Sequence, residues 1–318
     1  MKKLLLLSAL LATTIASFAA DKKIVFIAGP PSHGPGQHEH RAGCLLLKSC
    51  LDQIKVVSPV YHSPRAAEVF GKWRVQRVTS VVYSNGWPTD ASAFDGASAV
   101  VIYSDGGPGH PLLKEDRLKT IGALMDKGVG LAAIHYAVEP TKENGQKEFL
   151  EWIGGAFEVD WSVNPHWDAD FKELPNHPIT RGVKPFKIND EWYFNMRFRE
   201  PSKSVKGITP ILTAVPTANT TNRNDGPHEG NPTVRALVAK GEPVHVAWAT
   251  DRPDGGRGFG FTGAHFHKNW GDDDFRKLVL NAILWVAKAD VPKDGVQSTV
   301  TEAQLQENLD PKGERKKK

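Results

Sequence analysis

Hydrophobic positions fall along this chain in two periods, and the switch between them sets out the elements. Short, mostly apolar runs, Ile24 to Gly29, Ala97 to Ser104 and Val129 to Val138, have the pattern of strands buried in a parallel sheet. Elsewhere apolar residues recur at helical spacing. Leu45, Leu46 and Leu47 point to a helix from about His38 to Gln53, and Leu118, Ile121, Leu124 and Met125 to one from Leu113 to Lys127. Phe275, Leu278, Val279, Ala282, Ile283 and Val286 predict another from Asp273 to Lys288, and Glu148 to Trp152 closes a shorter one. Thr79 to Tyr83, Ile208 to Ala214 and Val244 to Thr250 read as further strands, and Trp161 to Phe171, where aromatic and polar residues alternate, as a half-exposed one. Ser58 to Val78 shows no clear period and reads as connection. Strands alternating with helices predict an α/β protein, an open, mainly parallel sheet flanked by helices.

The turns that end these runs carry the candidate chemistry. After Gly29 the chain reads Pro30-Pro31-Ser32-His33-Gly34-Pro35-Gly36-Gln37-His38-Glu39-His40, the densest cluster of ligand-type side chains in the sequence. His135 stands at the end of the Val129 run. The glycine-rich stretch from Gly255 leads through Phe259 to Gly263 into His265 and His267, which share a face if the strand continues that far. In open α/β sheets the carboxyl ends of the strands are where ligands bind. Asp190 and Glu191 lie inside the apolar, aromatic run Ile188 to Phe194, where a carboxylate is costly to bury unless a cation or metal pairs with it. Neighbours on a strand face opposite ways, so these two cannot flank one glycosidic bond as a hydrolase's carboxylate pair does.

Composition narrows the class. Met1-Lys2-Lys3, an apolar stretch and Ser17-Phe18-Ala19-Ala20 have the layout of a secretory signal peptide over residues 1–20, which predicts an exported, periplasmic or secreted protein. That apolar core is shorter than the roughly 20 residues of a bilayer span, and no later segment approaches one. With 40% hydrophobic residues the rest can bury a large core, read here as one domain over 21–292 followed by a polar, loosely attached tail over 293–318. A formal net charge of +4, part of it in the first and last residues, argues against a nucleic-acid partner. Cys44 and Cys50, six apart in one predicted helix, are about 9 Å apart and too far to bridge, so two buried free thiols are expected.

The order of landmarks resembles the ThuA-like (trehalose utilisation) family: Gly29 with His38-Glu39-His40, His135 at a strand end, His177-Pro178-Ile179, Asp190-Glu191-Trp192-Tyr193, Gly258 to His267, and Leu280 to Trp285. The likeness runs from about Lys22 to Pro292. It implies a flavodoxin-like, class I glutamine amidotransferase-like sheet and the handling of disaccharides by way of 3-keto sugars. In that type of fold the turn after the strand ending at Ile134 exposes the nucleophile. Here it holds His135, which excludes an acyl-enzyme through Cys or Ser at that spot. His33, His40, His166 and His267 go beyond the simpler family pattern.

Two functions are expected from these residues. One is an enzyme acting on a carbohydrate, a hydrolase, lyase or isomerase, with a divalent transition metal such as zinc held by His38, His135 and His265. In it Glu191, or its neighbour Asp190, is general acid or base, and His267 orients or relays a proton. The other is a sugar-binding module that keeps the fold without turnover.

Overall fold

The structure, a computed structural model, describes residues 21–54, 56–59, 73–202 and 207–313. The segment read as a signal peptide lies outside them, as does most of the unpatterned stretch after Ser58. β1 (Lys22–Ala28) leads through the His-rich loop into α1 (His40–Asp52). β2 (Val56–Pro59) and β3 (Trp73–Gln76) form a separate antiparallel pair, after which β4 (Val78–Tyr83) and β5 (Ala97–Tyr103) join the main sheet. α2 (Arg117–Met125), β6 (Gly130–Ile134), α3 (Gln146–Trp152) and the short β7 (Gly155–Ala156) follow. β8 (His166–Phe171) and β9 (Phe186–Glu191) pair antiparallel, and β10 (Arg197–Phe198) pairs with β7. The chain continues through β11 (Thr209–Ala214), α4 (Pro232–Ala239), β12 (Val244–Asp251) and β13 (Arg257–Phe261). It then forms α5 (Asp273–Val286) and α6 (Glu302–Leu305).

The central sheet has seven strands in the order β11-β12-β13-β6-β5-β1-β4. β4, β1, β5, β6 and β13 run parallel, and β12 runs against both of its neighbours. This is the mainly parallel sheet that the apolar runs predict, and alternation within each run fills two cores. Ile24 and Phe26 pack with residues of α1 and α5 on one face, whereas Val25 and Ile27 pack with Ile121, Met125, Phe149 and Trp152 on the other. Burying each large side chain contributes about 1.5–3 kcal/mol. Gly130 lets β6 pass beneath the end of α5, since a Cβ there would lie 2.1 Å from the Val286 carbonyl oxygen.

Element ends differ from the predicted ones where the backbone turns sharply. The run from Val129 is a strand only to Ile134, because His135 adopts a left-handed φ of 58° and starts a 3-10 turn to Val138. The helix predicted from Leu113 starts at Arg117, after two 3-10 turns. Cys44 and Cys50 are free and buried, as expected.

The segment after Pro292 is not the loosely attached tail that its polarity suggests. It covers the second face of α5, which is why fully buried Arg276 and Asn281 occur there. Arg276 donates from Nε to Ser298 Oγ at 2.9 Å, and Asn281 Oδ1 accepts from the Val296 N–H at 2.8 Å. Val296 and Leu305 join the main core. Val296, Val300 and Leu305, spread through a polar stretch, are too sparse to show a period.

Candidate functional site

The loops that follow β1, β5, β6 and β13 meet at the carboxyl edge of the sheet. Two of them are stitched together by backbone. The His38 N–H donates to the His265 carbonyl at 3.0 Å, the His267 N–H donates to the Gly36 carbonyl at 2.9 Å, and Gln37 bridges Phe266. His38 and His135 have left-handed φ values of 47° and 58°, and Ala264, just before His265, has 82°. Such φ values are uncommon outside glycine and persist only where the surroundings over-determine them, a condition that clusters at functional sites.

The result is a compact group: one ligand-type atom each from His38, His135, His265 and Glu191, all within 4.8 Å of one another. His38 Nε2 is 3.0 Å from His135 Nε2 and 3.0 Å from His265 Nδ1. Glu191 Oε2 is 3.0 Å from His265 Nδ1 and 3.4 Å from His135 Nε2. The outer nitrogens decide the tautomers. His38 Nδ1 lies 2.8 Å from Asp105 Oδ1 and His135 Nδ1 lies 2.7 Å from the Thr262 carbonyl, and both oxygens accept. Each Nδ1 therefore carries the proton, and the two Nε2 lone pairs face each other. Two acceptors cannot hydrogen-bond, so a cation, a proton or a metal ion, must sit between them. Three imidazole nitrogens and a carboxylate oxygen are a donor set that fits zinc and similar borderline ions.

The electrostatics match this crowding. Burial, reinforced by the like charges of His135, His33, His40 and His265, drives His38 far below its ordinary value. Burial lowers His135 as well, but the hydrogen bond and charge of Glu191 outweigh it and the net shift is upward. Burial pushes the Glu191 carboxyl up, yet hydrogen bonds and charge from His135 and His265 hold it well below the usual carboxylate range. His40 is lowered to about 4 by burial, against the opposing pull of Asp105 and the Pro30 carbonyl.

Not every predicted site residue reaches this group. Asp190, fully buried, faces away: its carboxylate accepts from the N–H groups of Ala264, His265 and Glu191 and from Asn269 Nδ2. It anchors the loop that carries His265. His267 is also elsewhere, because β13 ends at Phe261 and the left-handed turn at Ala264 breaks the strand register that would have aligned it with His265. Its ring is buried, facing Glu39, Lys312 and the Leu305 backbone. Of the additional histidines, His33 stacks on His38 at 3.5 Å, and His166, half-exposed, approaches Glu191 Oε1 to 3.7 Å. His177 instead orders backbone, accepting the Ile179 N–H.

Sequence reasoning missed Asp105, Asn164 and Tyr193. Asp105 ends the β5 run just before Gly106-Gly107, so the strand-end rule that selected His38 would have found it. Asn164 donates to Glu191 Oε1 at 3.1 Å, and the Tyr193 hydroxyl lies 3.4 Å from both Glu191 Oε2 and His135 Nε2. Their side chains carry no signal of this in sequence.

Fold and site together define an open α/β protein with a buried histidine–carboxylate cluster at the carboxyl edge of its sheet. The family model for trehalose utilisation, ThuA, matches residues 57–286, and the chain belongs to that family. The match includes His135, Glu191 and His265 and begins after His38. No curated protein matches. Among solved structures, a ThuA-like protein from Bacteroides uniformis is similar at 14% identity, covering 85% of this chain and 93% of that one with a TM-score of 0.53, and shares the fold. A ThuA-like protein from Parabacteroides merdae aligns at 15% identity over 89% of this chain and 94% of its own, TM-score 0.48. PurLQS from Thermotoga maritima aligns at 10% identity over 85% and 98%, TM-score 0.37.

Proposed function

We propose that this protein is an exported, metal-dependent enzyme acting on a sugar, a disaccharide or 3-keto glycoside, at the histidine cluster. The supporting observation is the facing pair of His38 and His135 lone pairs, 3.0 Å apart beside a third imidazole nitrogen and a carboxylate oxygen, which one cation would satisfy. His38, His135 and His265 would hold a divalent ion. Asp105 and the Thr262 carbonyl are the outer partners that ligating histidines use to fix ring and tautomer. The ion would supply Lewis-acid polarisation of a substrate oxygen.

Glu191 would be the group that moves a proton. Asn164 fixes one of its oxygens, and the other faces the three imidazoles. Burial of the cluster keeps bulk water from competing. Asp190 acts at one remove, by holding the backbone of Ala264 and His265. The sugar substrate is supported by the family's association with trehalose utilisation, and export by the leader-like first residues. Elemental analysis after metal-supplemented expression tests the reading: about one transition-metal ion per chain is expected. A metal-free protein that still binds sugar would make it a binding module instead.

A further inference from the structure

A cavity of about 450 Å³ lies beside the cluster, within the size range of small-molecule sites. The two share an element. The 3-10 turn His135–Val138 places His135 in the cluster and Tyr136 in the cavity wall, with the Tyr136 ring 6.1 Å from that of His38.

Set into the same wall is a pair that the cluster does not use. His228 Nε2 lies 2.9 Å from Glu139 Oε1, while Glu139 is 1% exposed and its Oε2 has no partner. A buried carboxylate oxygen without a donor is uncommon and calls for an explanation. His228 comes from the 217–232 loop, which by composition is only a polar connection. The structure pins that loop down: the Asn164 N–H donates to the His228 carbonyl at 3.0 Å, and Arg223 Nη1 donates to Asn164 Oδ1 at 3.1 Å. Asn164 in turn donates to Glu191. One loop thus reaches two carboxylates, Glu139 in the cavity and, through Asn164, Glu191 in the cluster.

The charge of the wall selects a ligand class. Glu139, Glu143, Glu158 and Asp160 outnumber Lys142 and Arg197, so an anion is disfavoured. Arg197 is held at 2.9 Å from Glu158 and lies 3.7 Å over the Trp161 ring. Fixed carboxylates and a guanidinium offer paired acceptors and donors to neighbouring hydroxyls, and Tyr136 and Trp161 offer apolar faces. We propose that this cavity is the subsite for an uncharged sugar ring, with the Glu139–His228 pair hydrogen-bonding its hydroxyls next to the cluster. The assignment rests on the sugar-handling reading above and not on the metal.

Calorimetric titration of the full chain, before and after chelation, with trehalose, methyl α-glucoside and glucose 6-phosphate tests it. The wild type is expected to bind a neutral sugar in preference to the phosphate. Glu139→Gln and His228→Ala should each weaken that binding by roughly ten- to a hundredfold, the worth of a hydrogen bond to a charged group, with metal content unchanged. Should Glu139→Gln fail to fold, His228→Ala and His228→Gln carry the comparison. Unaltered sugar affinity in the variants, tighter binding of the phosphate, or no binding of any probe by the wild type overturns the subsite. Sugar binding that depends on Glu139 and His228 in a protein that holds no metal would leave the subsite standing and remove only the metal-dependent reading.

Discussion

Lys312 Nζ lies 3.1 Å from Glu39 Oε1, with the two side chains 5% and 1% exposed. The same ammonium reaches the carbonyls of Gln37 and His38, and the Asp310 N–H donates to Glu39 Oε2 at 2.8 Å. Glu39 Oε1 also accepts the Gly36 N–H. The C-terminal segment therefore grips the loop that presents His38. Removing one partner of a buried pair leaves the other charge uncompensated, so Lys312→Ala is expected to cost roughly 3–5 kcal/mol in denaturant unfolding. A change within about 0.5 kcal/mol, the scale of an ordinary surface substitution, would show that the pair does not hold the loop.

Glu191→Gln and His135→Ala separate proton transfer from ligation. The first keeps size and polarity, and should lower turnover on an activated glycoside by roughly 10²–10⁴ while metal content stays intact. The second should lose metal and activity together, because a three-ligand site that loses one histidine becomes a weak chelator. Loss of metal from Glu191→Gln would move that carboxylate into the ligand set.

Asp190 is predicted to matter for shape and not for chemistry. Asp190→Ala strands the buried donors of Ala264, His265 and Asn269, at about 1–3 kcal/mol for each unsatisfied group. Thermal unfolding should drop clearly and metal affinity with it. Asp190→Asn keeps one accepting oxygen and should recover part of both. A variant of normal stability that has lost only turnover would contradict the positioning role.

Glu158 gives a pH signature away from the cluster. Burial pushes its carboxyl up, but hydrogen bonds from Arg197, Gln146 and Lys142, with the charge of Arg197, bring it down to about 2 from an ordinary 4.5. A carboxyl depressed in the folded state stabilises it fully above the unfolded value, and the contribution is lost as pH falls toward the folded one. Between about pH 4.5 and 2 the wild type should lose more stability than Glu158→Gln. Parallel stability curves for the two proteins across that window would refute the assignment.

Much of the frame was legible in the chain because parallel strands buried on both faces leave unbroken apolar runs, as Ile24 to Ala28 does. The convergence of His38, His135 and His265 followed from one rule about strand ends. The failures share a cause. His267 and the tail were misplaced because single left-handed residues such as Ala264, and lone anchors such as Leu305 and Lys312, decide direction without leaving a periodic trace. Glu139 and His228 lie 89 positions apart, and only the folded 217–232 loop brings them together.

The grip of the C-terminal segment on Glu39 also sets an order of events. Asp310 and Glu39 are separated by 271 positions, so this contact cannot form until the chain has been made as far as Asp310. His135 and His265 can therefore be made, and their strands paired, while the His38 loop still lacks its clamp. On the proposed export route, where a chain is threaded across a membrane before it folds, the clamp closes on the far side. The metal would then be drawn from the supply outside the cytoplasm, and which ion the protein carries would be decided there.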